Sequence, residues 1–377
     1  MLFPTHWSWD FFSVIFLIFL FFVAIQLSYV VFIFLRLAFF KEKKTVASTL
    51  MPISIIIAAR NESDNLYDNL PFILTQDYPE FEVIIVNNQS VDESAWLLKA
   101  LCLQHKNLKV VEIGKNKHLL PGKKLPITLG VKAAKYEKMV FTDADCKPAS
   151  NQWLRIMSET FTENHQIILG YAPYFRTKGI INRIIRYDTA FIGASYLSFA
   201  LAKIPYMGVG RNLAYTKKVF ESVRGFKSHY SLPSGDDDLF IQEAAVNQNY
   251  TIQISPETFC YSKASETWKG WVRQKTRHYS TSSRYKVIKK ALLGIYPISL
   301  LLAWLTFVIL LFNAKWFAIS LILFGSMLIV KWLIQGKCLR TLNEKGFALA
   351  FPLWDLGHAL LMPMLYNFSD HKRYKKW

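Results

Sequence analysis

The segment "PISIIIAARNES" (residues 52–63) decides the fold expected for this chain. In it, an unbroken apolar and β-branched run stops abruptly at a cluster of polar residues. Similar strand patterns recur as "EVIIVNNQSVDES" (82–94), "KVVEI" (109–113) and "KMVFTDADC" (138–146). Helix-like stretches separate them at 62–75, 92–105 and 124–136. Continuous apolar strands alternating with helices predict a Rossmann-like, mostly parallel α/β sheet that is covered on both faces.

Polar side chains follow the predicted strands at the point where each strand ends. Ligands of open α/β sheets bind outside the carboxyl ends of the strands, so these residues are candidates for one common site. They are Arg60 and Glu62, Asn87 and Asn88, and Asp143 and Asp145.

Long apolar segments flank this α/β region. Residues 11–40 contain only Gln26 and Arg36 as strongly polar interruptions, and a membrane helix needs about 20 apolar residues. Three further apolar segments follow near 292–312, 316–334 and 347–366. The pattern predicts an N-terminal transmembrane anchor (1–44), a globular domain (45–283), and a basic interfacial segment with about three C-terminal membrane segments (284–377).

Basic residues indicate on which side of the membrane the globular domain lies. The chain has 377 residues and a net charge of +18, and the runs "KEKK" (41–44) and "RYKVIKK" (284–290) flank the domain. The positive-inside rule predicts that this domain lies in the cytoplasm, and the apolar segments predict an integral protein of the cell (inner) membrane. The basic tail "HKRYKKW" (371–377) fits four full crossings less well, so the last segment crosses, re-enters or lies at the interface. No motif favours a nucleic-acid partner.

Two aspartates separated by one residue, Asp143 and Asp145, close the strand at 138–146. Alternate residues of an extended chain point to the same side, and carboxylates are the ligands that Mg²⁺ and Mn²⁺ prefer. The pattern therefore indicates a divalent-metal site, with two solvated turn acids as the alternative interpretation.

Two further segments could carry chemistry. The segment "SGDDDLFIQEAA" (234–245) supplies either a general base or acids that favour a helix N-terminus. The segment "WKGWVRQKTRHYSTSSRYK" (268–286) combines cations with aromatic side chains, which suits a diphosphate and a sugar ring or an amphipathic helix on a membrane surface. Asp355 and His358, three apart in the last apolar segment, either bond to each other or contact a lipid acceptor.

Taken in order over residues 52–278, six segments resemble the family 2 glycosyltransferases, which have the glycosyltransferase-A fold. They are "PISIIIAARNES", "QDYPEFEVIIVNNQSVDES", "GKKLPITLGVKAA", "FTDADCKP", "GDDDL" and "QKTRH". The last is similar to the QxxRW motif of the membrane-bound members. The resemblance implies inverting transfer of a sugar from a nucleotide diphosphate sugar, preferably a UDP-sugar, to a hydroxyl.

The resemblance also implies roles for residues. Asp143 and Asp145 would hold Mg²⁺ or Mn²⁺, and Asp236 would be the general base, with Asp237 as the close competitor. The nucleotide sugar would contact Ala58, Arg60, Glu62, Asn87, Asn88, Lys124 and Asp143. The diphosphate or the acceptor would contact Asp238, Gln274, Arg277 and His278.

Departures from the family pattern affect substrate and mode of action. Asn87 and Asn88 stand where an aspartate usually contacts the base, and an amide oxygen still accepts a hydrogen bond from uracil. His278 replaces the tryptophan of processive polymerases, which favours single-sugar transfer. The expected function is sugar transfer to a lipid or lipid-linked acceptor in glycolipid or cell-envelope glycan synthesis. The alternatives are a processive polysaccharide synthase, and a non-catalytic scaffold or transporter with a nucleotide-sugar-binding domain.

Overall fold

The computed structural model describes residues 10–42, 50–116, 118–120 and 122–368. The strands are β1 (Ile53–Ala59), β2 (Phe81–Asn88), β3 (Leu108–Ile113), β4 (Lys138–Asp143), β5 (Cys146–Pro148), β6 (Ile167–Leu169), β7 (Leu213–Thr216), β8 (Tyr250–Ile252) and β9 (Cys260–Ser262). The helices are α1 (Phe11–Tyr29), α2 (Leu35–Ala38), α3 (Ser63–Leu74), α4 (Ser94–Gln104), α5 (Lys124–Ala133), α6 (Trp153–Glu159), α7 (Ile180–Leu201), α8 (Lys217–Ser222), α9 (Asp238–Ala244), α10 (Trp268–Ser282), α11 (Val287–Leu310), α12 (Ala314–Thr341), α13 (Lys345–Leu349) and α14 (Phe351–Phe368). Parts of the basic runs fall outside the described residues, namely 43–44 and the whole tail 371–377.

The chain divides into two compact units. Within the described residues, the sheet unit comprises Lys41–Thr189 and Pro205–Tyr285, and the helical unit comprises residues 10–40, 190–204 and 286–368. Helix α7 runs through the boundary, so its first half belongs to the sheet unit and its second half to the helical unit.

A seven-stranded sheet forms the centre of the sheet unit, in the order β3-β2-β1-β4-β7-β6-β8. The four strands β3, β2, β1 and β4 run parallel, and β7 is antiparallel to both of its neighbours. All seven residues of β1 are buried, as continuous apolar strands require when helices cover both faces. The predicted mostly parallel α/β sheet is therefore confirmed.

Strand register brings the ends of the parallel strands together. Ala58 of β1 lies beside Asp143 of β4, and Ala59 lies beside Asn87 of β2. The carboxyl edge of the sheet therefore carries an aspartate, an asparagine and a small residue within two strand spacings of each other.

Three helical segments in the described part of the helical unit are long and apolar enough to cross a membrane: Phe11–Ala38, Val287–Leu310 and Ala314–Thr341. The first is continuous because a π-helical turn, Val30–Phe34, joins α1 to α2. The last apolar segment is divided into α13 and α14 and is not among the three.

A buried polar cluster lies among the apolar helices. Lys331 of α12 pairs with Asp355 of α14 at 2.8 Å, and Tyr296 of α11 donates to the same carboxylate at 2.9 Å. Gln26 of α1 accepts from Lys331 at 2.5 Å and donates to Ser299 at 2.8 Å. Asp355 is thus paired with Lys331, so these contacts tie four helices together.

Candidate active site

One cavity at the carboxyl edge of the sheet contains residues from several motifs. Asp143 from the end of β4 and Asp236 from residues 234–245, the acidic segment, both line it. The rest of its lining is Ile56, Ala58, Ile127, Phe141, Thr142, Gly210, Leu213 and Tyr215. The structure therefore brings together two acidic motifs that are more than ninety residues apart in the sequence.

Cationic side chains lie close to the first acidic motif, Asp143 and Asp145, and offset part of its negative charge. Lys123, directly before α5, forms an ion pair with Asp143. Burial opposes the charge of Lys123, but Asp143 and Asp236 together raise the pKa of its ammonium group. Burial raises the pKa of Asp145, and the charge of Asp143 adds to this effect, whereas Arg211 and Lys123 oppose it.

Asp143 and Asp145 suit a divalent cation as a pair. Within the described ranges, no group of three or more histidine, cysteine or acidic side chains forms a closed metal site. Mg²⁺ is commonly held by one or two carboxylates, with substrate phosphates and water completing its shell. The charge of Asp143 contributes to the raised pKa of Asp145, and a cation between the two carboxylates would offset this repulsion. The donor set therefore fits an open site that needs the substrate.

The three aspartates of the acidic segment have different surroundings. Asp237, the residue before α9, accepts from the Gly210 amide at 3.0 Å and from the Asp238 amide at 2.8 Å. Asp238 is buried and accepts from the hydroxyls of Thr281 and Tyr285. Asp236 lines the cavity and has no hydrogen bond from another described residue. Asp237 and Asp238 thus lie at the start of helix α9, which agrees with the expectation of acids at a helix N-terminus. Asp236 instead faces the cavity.

Burial and repulsion act strongly on this segment. Burial, followed by the charges of Asp236 and Asp238, raises the pKa of Asp237 to about 7. Burial also raises the pKa of Asp238, against the effect of its hydroxyl donors. Both carboxylate oxygens of Asp237 accept from main-chain amides, so Asp237 is less available than Asp236 to act as a base in the cavity.

Two consecutive lysines before and at the start of α5 reach different places. Lys124 is 3% exposed and donates to the main-chain carbonyls of His229 at 2.5 Å and Leu232 at 3.0 Å. Burial lowers the pKa of Lys124 to about 8, against the opposing effect of the acidic segment. Lys124, expected near the phosphates, is therefore bonded to the chain that precedes the acidic segment, and Lys123 reaches Asp143 instead.

The residues expected around the nucleotide base lie at the ends of β1 and β2. Asn87 is 1% exposed and donates to both carboxylate oxygens of Glu112, at 2.9 and 3.2 Å. Its own Oδ1 is buried without a hydrogen-bond partner among the described residues. Asn88 is buried, and its Oδ1 accepts a long bond of 3.4 Å from Gln89.

The loops after β1 and β2 are bonded to each other. Asn61 donates its main-chain amide to Ser90 Oγ at 2.9 Å, and Ser63 donates its amide to Asp92 at 3.0 Å. Arg60 and Glu62 lie on the first of these loops, where burial raises the pKa of Glu62 and the charges of Asp145 and Asp143 add to it. Glu62 is therefore electrostatically linked to the paired aspartates.

Helix α10 contributes residues through a second set of contacts. Gln274 donates to the Tyr174 hydroxyl at 2.8 Å, and the ring of Tyr174 lies 4.4 Å from the guanidinium carbon of Arg211. Arg277 is partly exposed and His278 is exposed. Trp271 is fully buried, so it contributes to the core and does not offer a stacking surface for a sugar.

Three residues with a place in this arrangement were not singled out from the sequence. Arg211 lowers the pKa of Asp145, and its guanidinium donates to Ser262 Oγ at 2.5 Å and to the Ala172 carbonyl at 2.8 Å. Lys123 pairs with Asp143, and Asp188 pairs with Lys275. The dipeptide Lys123–Lys124 was a visible signal, but Asp188 lies in an ordinary helical pattern that gave none.

An open, mostly parallel sheet with acidic side chains collected at its carboxyl edge defines the class of this protein, an α/β protein with a site at the strand ends. A family model described as "Glycosyl transferase family group 2" matches residues 140–366, and one described as "Glycosyl transferase family 2" matches residues 54–224. The first covers more than half of the chain. The chain therefore belongs to the family 2 glycosyltransferases.

Individual proteins agree with this assignment. The poly-beta-1,6-N-acetyl-D-glucosamine synthase of Staphylococcus epidermidis is 27% identical over 233 residues, which is 60% of this chain and 53% of that protein. The probable glycosyltransferase YdaM of Bacillus subtilis (strain 168) is 24% identical over 246 residues, 63% of this chain and 56% of that protein. The chain thus spans about half the length of the curated relatives it matches.

One solved structure shares the fold over nearly the whole chain. The mannosyltransferase PcManGT from Pyrobaculum calidifontis, solved in complex with GDP-Man and Mn²⁺, has a TM-score of 0.56 at 16% sequence identity. The match covers 93% of this chain and 99% of that chain. The glycosyltransferase-A fold expected from the sequence is confirmed.

Proposed function

We propose that this chain transfers a sugar from a nucleotide diphosphate sugar to a hydroxyl of a lipid or lipid-linked acceptor, with inversion at the anomeric carbon. The observation that supports the proposal is the cavity shared by Asp143 and Asp236, because a diphosphate held at Asp143 would then lie close to a second carboxylate. Asp236 would take the proton of the acceptor hydroxyl while the oxygen of that hydroxyl forms its bond to the anomeric carbon. The bond between the anomeric carbon and the diphosphate oxygen breaks as the new bond forms, and the nucleoside diphosphate leaves with that electron pair.

The remaining polar groups would bind and orient the donor. Arg60, Glu62, Asn87 and Asn88 would surround the nucleotide, with Ala58 leaving room at the strand end. Gln274 and Arg277 would contact the diphosphate or the acceptor, and exposed His278 would face the acceptor side. UDP-sugars are the favoured donors, because the buried Oδ1 of Asn87 can accept from an imide N–H.

Asp143 and Asp145 would hold a divalent cation, Mg²⁺ or Mn²⁺, which when bound supplies Lewis-acid stabilisation of the leaving diphosphate. The chain's own contribution is to keep both carboxylates close together beside Lys123 and Arg211. These cations limit the repulsion between the two acids.

The membrane arrangement is part of the proposal. We propose that the N-terminal apolar helix anchors the chain (1–44), that residues 45–283 form a cytoplasmic domain, and that residues 284–377 hold the further membrane segments. Three helices of sufficient length and apolarity support this, and the basic runs next to the domain favour its cytoplasmic position. A lipid acceptor fits because its hydroxyl lies at the bilayer surface.

Processive synthesis is the second candidate, favoured by the similarity to a poly-beta-1,6-N-acetyl-D-glucosamine synthase. The exposed His278, in place of the tryptophan of processive enzymes, argues for single transfer. The two differ in product length, so one assay separates them.

The test uses the full chain purified in nanodiscs with radiolabelled UDP- and GDP-sugars and membrane lipid extracts. The proposal predicts a lipid-soluble product that carries a single added sugar, formed only with Mg²⁺ or Mn²⁺ and absent for Asp145→Ala. A polymer ladder would favour the processive synthase. Absence of both transfer and donor hydrolysis, with donor binding retained, would favour a non-catalytic scaffold or transporter.

A further inference from the structure

Asp237 and Asp238 form hydrogen bonds that neither a general base nor a contact with the acceptor or diphosphate would need. Asp237 uses both carboxylate oxygens on main-chain amides, those of Gly210 and Asp238. Asp238 uses Oδ1 on the amide of Leu239 at 2.7 Å. Of the three aspartates, Asp236 is the one that lines the cavity. Its two neighbours therefore fix the segment, Asp237 to Gly210 before β7 and Asp238 to the first turn of α9.

The second oxygen of Asp238 joins the acidic segment to the end of α10. Asp238 Oδ2 accepts from Thr281 Oγ1 at 2.5 Å and from the Tyr285 hydroxyl at 2.8 Å. Thr281 lies in the last turn of α10 and Tyr285 three residues beyond its end. The Thr281 hydroxyl also lies 2.9 Å from the His278 carbonyl, but an ionised carboxylate is the stronger acceptor.

Burial makes these two hydroxyl bonds important. Asp238 is 7% exposed and Thr281 is 1% exposed, so water reaches neither group freely. A buried carboxylate is stable only when its oxygens are paired, and here three donors satisfy it. Without the hydroxyls, the carboxylate would protonate or move toward solvent, and the acidic segment would move with it.

We propose that Asp238 is a positioning residue that holds Asp236 in the cavity by binding the acidic segment to the end of α10 through Thr281 and Tyr285. The inference rests on the proposed function, in which Asp236 is the general base. It assigns Asp238 a role different from the contact with the acceptor or diphosphate expected from the sequence. It also makes α10, the helix with Gln274 and Arg277, part of the support of the base.

The test compares substitutions that remove or retain one hydroxyl. Thr281→Val keeps the shape of the side chain without its O–H, and Thr281→Ser keeps the O–H; Tyr285→Phe removes the second donor. Ser282→Ala is the matched control, because that hydroxyl bonds only within α10, to the Tyr279 carbonyl at 2.7 Å.

We expect the Thr281→Val, Tyr285→Phe double variant to lose roughly 10- to 100-fold in kcat, as small displacements of a catalytic group typically cause. Donor dissociation constants, measured by calorimetry, should stay within about twofold, because only the transition state needs the placed base. Thr281→Ser and Ser282→Ala should retain near wild-type kcat. A double variant with unchanged kcat, or with donor affinity falling in parallel with kcat, would overturn the proposal.

Hydrogen–deuterium exchange separates failure of this inference from failure of the proposed function. Exchange of residues 235–244 should rise in the double variant and stay unchanged in Ser282→Ala, whether or not a sugar is transferred. Unchanged exchange in the double variant would show that α10 does not hold the segment. Faster exchange in a protein without transferase activity would support the contact between the acidic segment and α10 but reject the proposed function.

Discussion

Asp188 of α7 should contribute strongly to the stability of the sheet unit, because it is the counter-charge of a buried lysine. Lys275 of α10 lies 3.0 and 2.9 Å from the two carboxylate oxygens of Asp188, and the side chains are 6% and 5% exposed. Substituting Asp188→Asn leaves the ammonium group buried without a counter-charge. Breaking a buried pair on one side typically costs about 3–5 kcal/mol of unfolding free energy. For a domain of this size class, that corresponds to a fall in Tm of roughly 6–20 °C.

Thermal unfolding of detergent-solubilised protein, followed by tryptophan fluorescence at one heating rate, measures this effect. The double variant Asp188→Leu with Lys275→Met removes both charges and should recover most of the loss, since apolar replacements of buried pairs are often neutral. The control is Asp68→Asn, which breaks the exposed pair with Lys263 at 3.5 Å and should hardly change Tm. A single Asp188→Asn variant that melts like the control, or a double variant less stable than the single one, would refute this reasoning.

Three further outcomes follow from other buried charges. Lys124→Met should lower Tm and kcat but leave donor affinity nearly unchanged, because its ammonium binds main-chain carbonyls; a large loss of affinity by calorimetry would mean that it binds phosphate after all. The folded-state pKa of Asp237 is about 7, above its ordinary value of 3.8, so its contribution to stability is complete below about pH 4 and is lost as the pH rises to 7. Because asparagine cannot ionise, the difference in unfolding free energy between Asp237→Asn and wild type should shift in favour of the variant by at most ~4 kcal/mol between pH 4 and pH 8; a difference that does not change with pH would contradict this. Asp355→Leu alone should destabilise the protein in thermal melts more than Asp355→Leu combined with Lys331→Met, because the single change leaves a buried cation; the reverse order would show that the pair is not the stabilising contact.

The sheet and the location of its site could be predicted because both depend on simple patterns. Apolar β-branched runs fix the strands, and the direction of parallel strands places every strand end on one edge. Ala58, Asn87 and Asp143 therefore meet there regardless of the helices between them. The apolar segments of the helical unit were equally plain, since length and hydropathy alone identify candidate spans.

The finer assignments needed coordinates because they depend on the direction in which each side chain points and on which distant residue it meets. Successive residues at a helix start point in directions about 100° apart, so the sequence could not tell that Lys123 reaches Asp143 while Lys124 reaches carbonyls. Residues 236–238 are all aspartates, so the sequence does not distinguish them, and only their hydrogen bonds in the structure do. Asp188 and Lys275 are 87 positions apart in the sequence, so no local sequence pattern indicates that they pair.

Substitution of Asp236 by asparagine tests the central claim most directly. Asparagine keeps the size of the side chain but cannot accept a proton from the acceptor hydroxyl. With donor binding measured by calorimetry and sugar transfer by product formation, we expect Asp236→Asn to abolish transfer while binding of the nucleotide sugar stays close to wild type. Transfer that persists, or transfer and binding lost to the same degree, would contradict the assignment of Asp236 as the base.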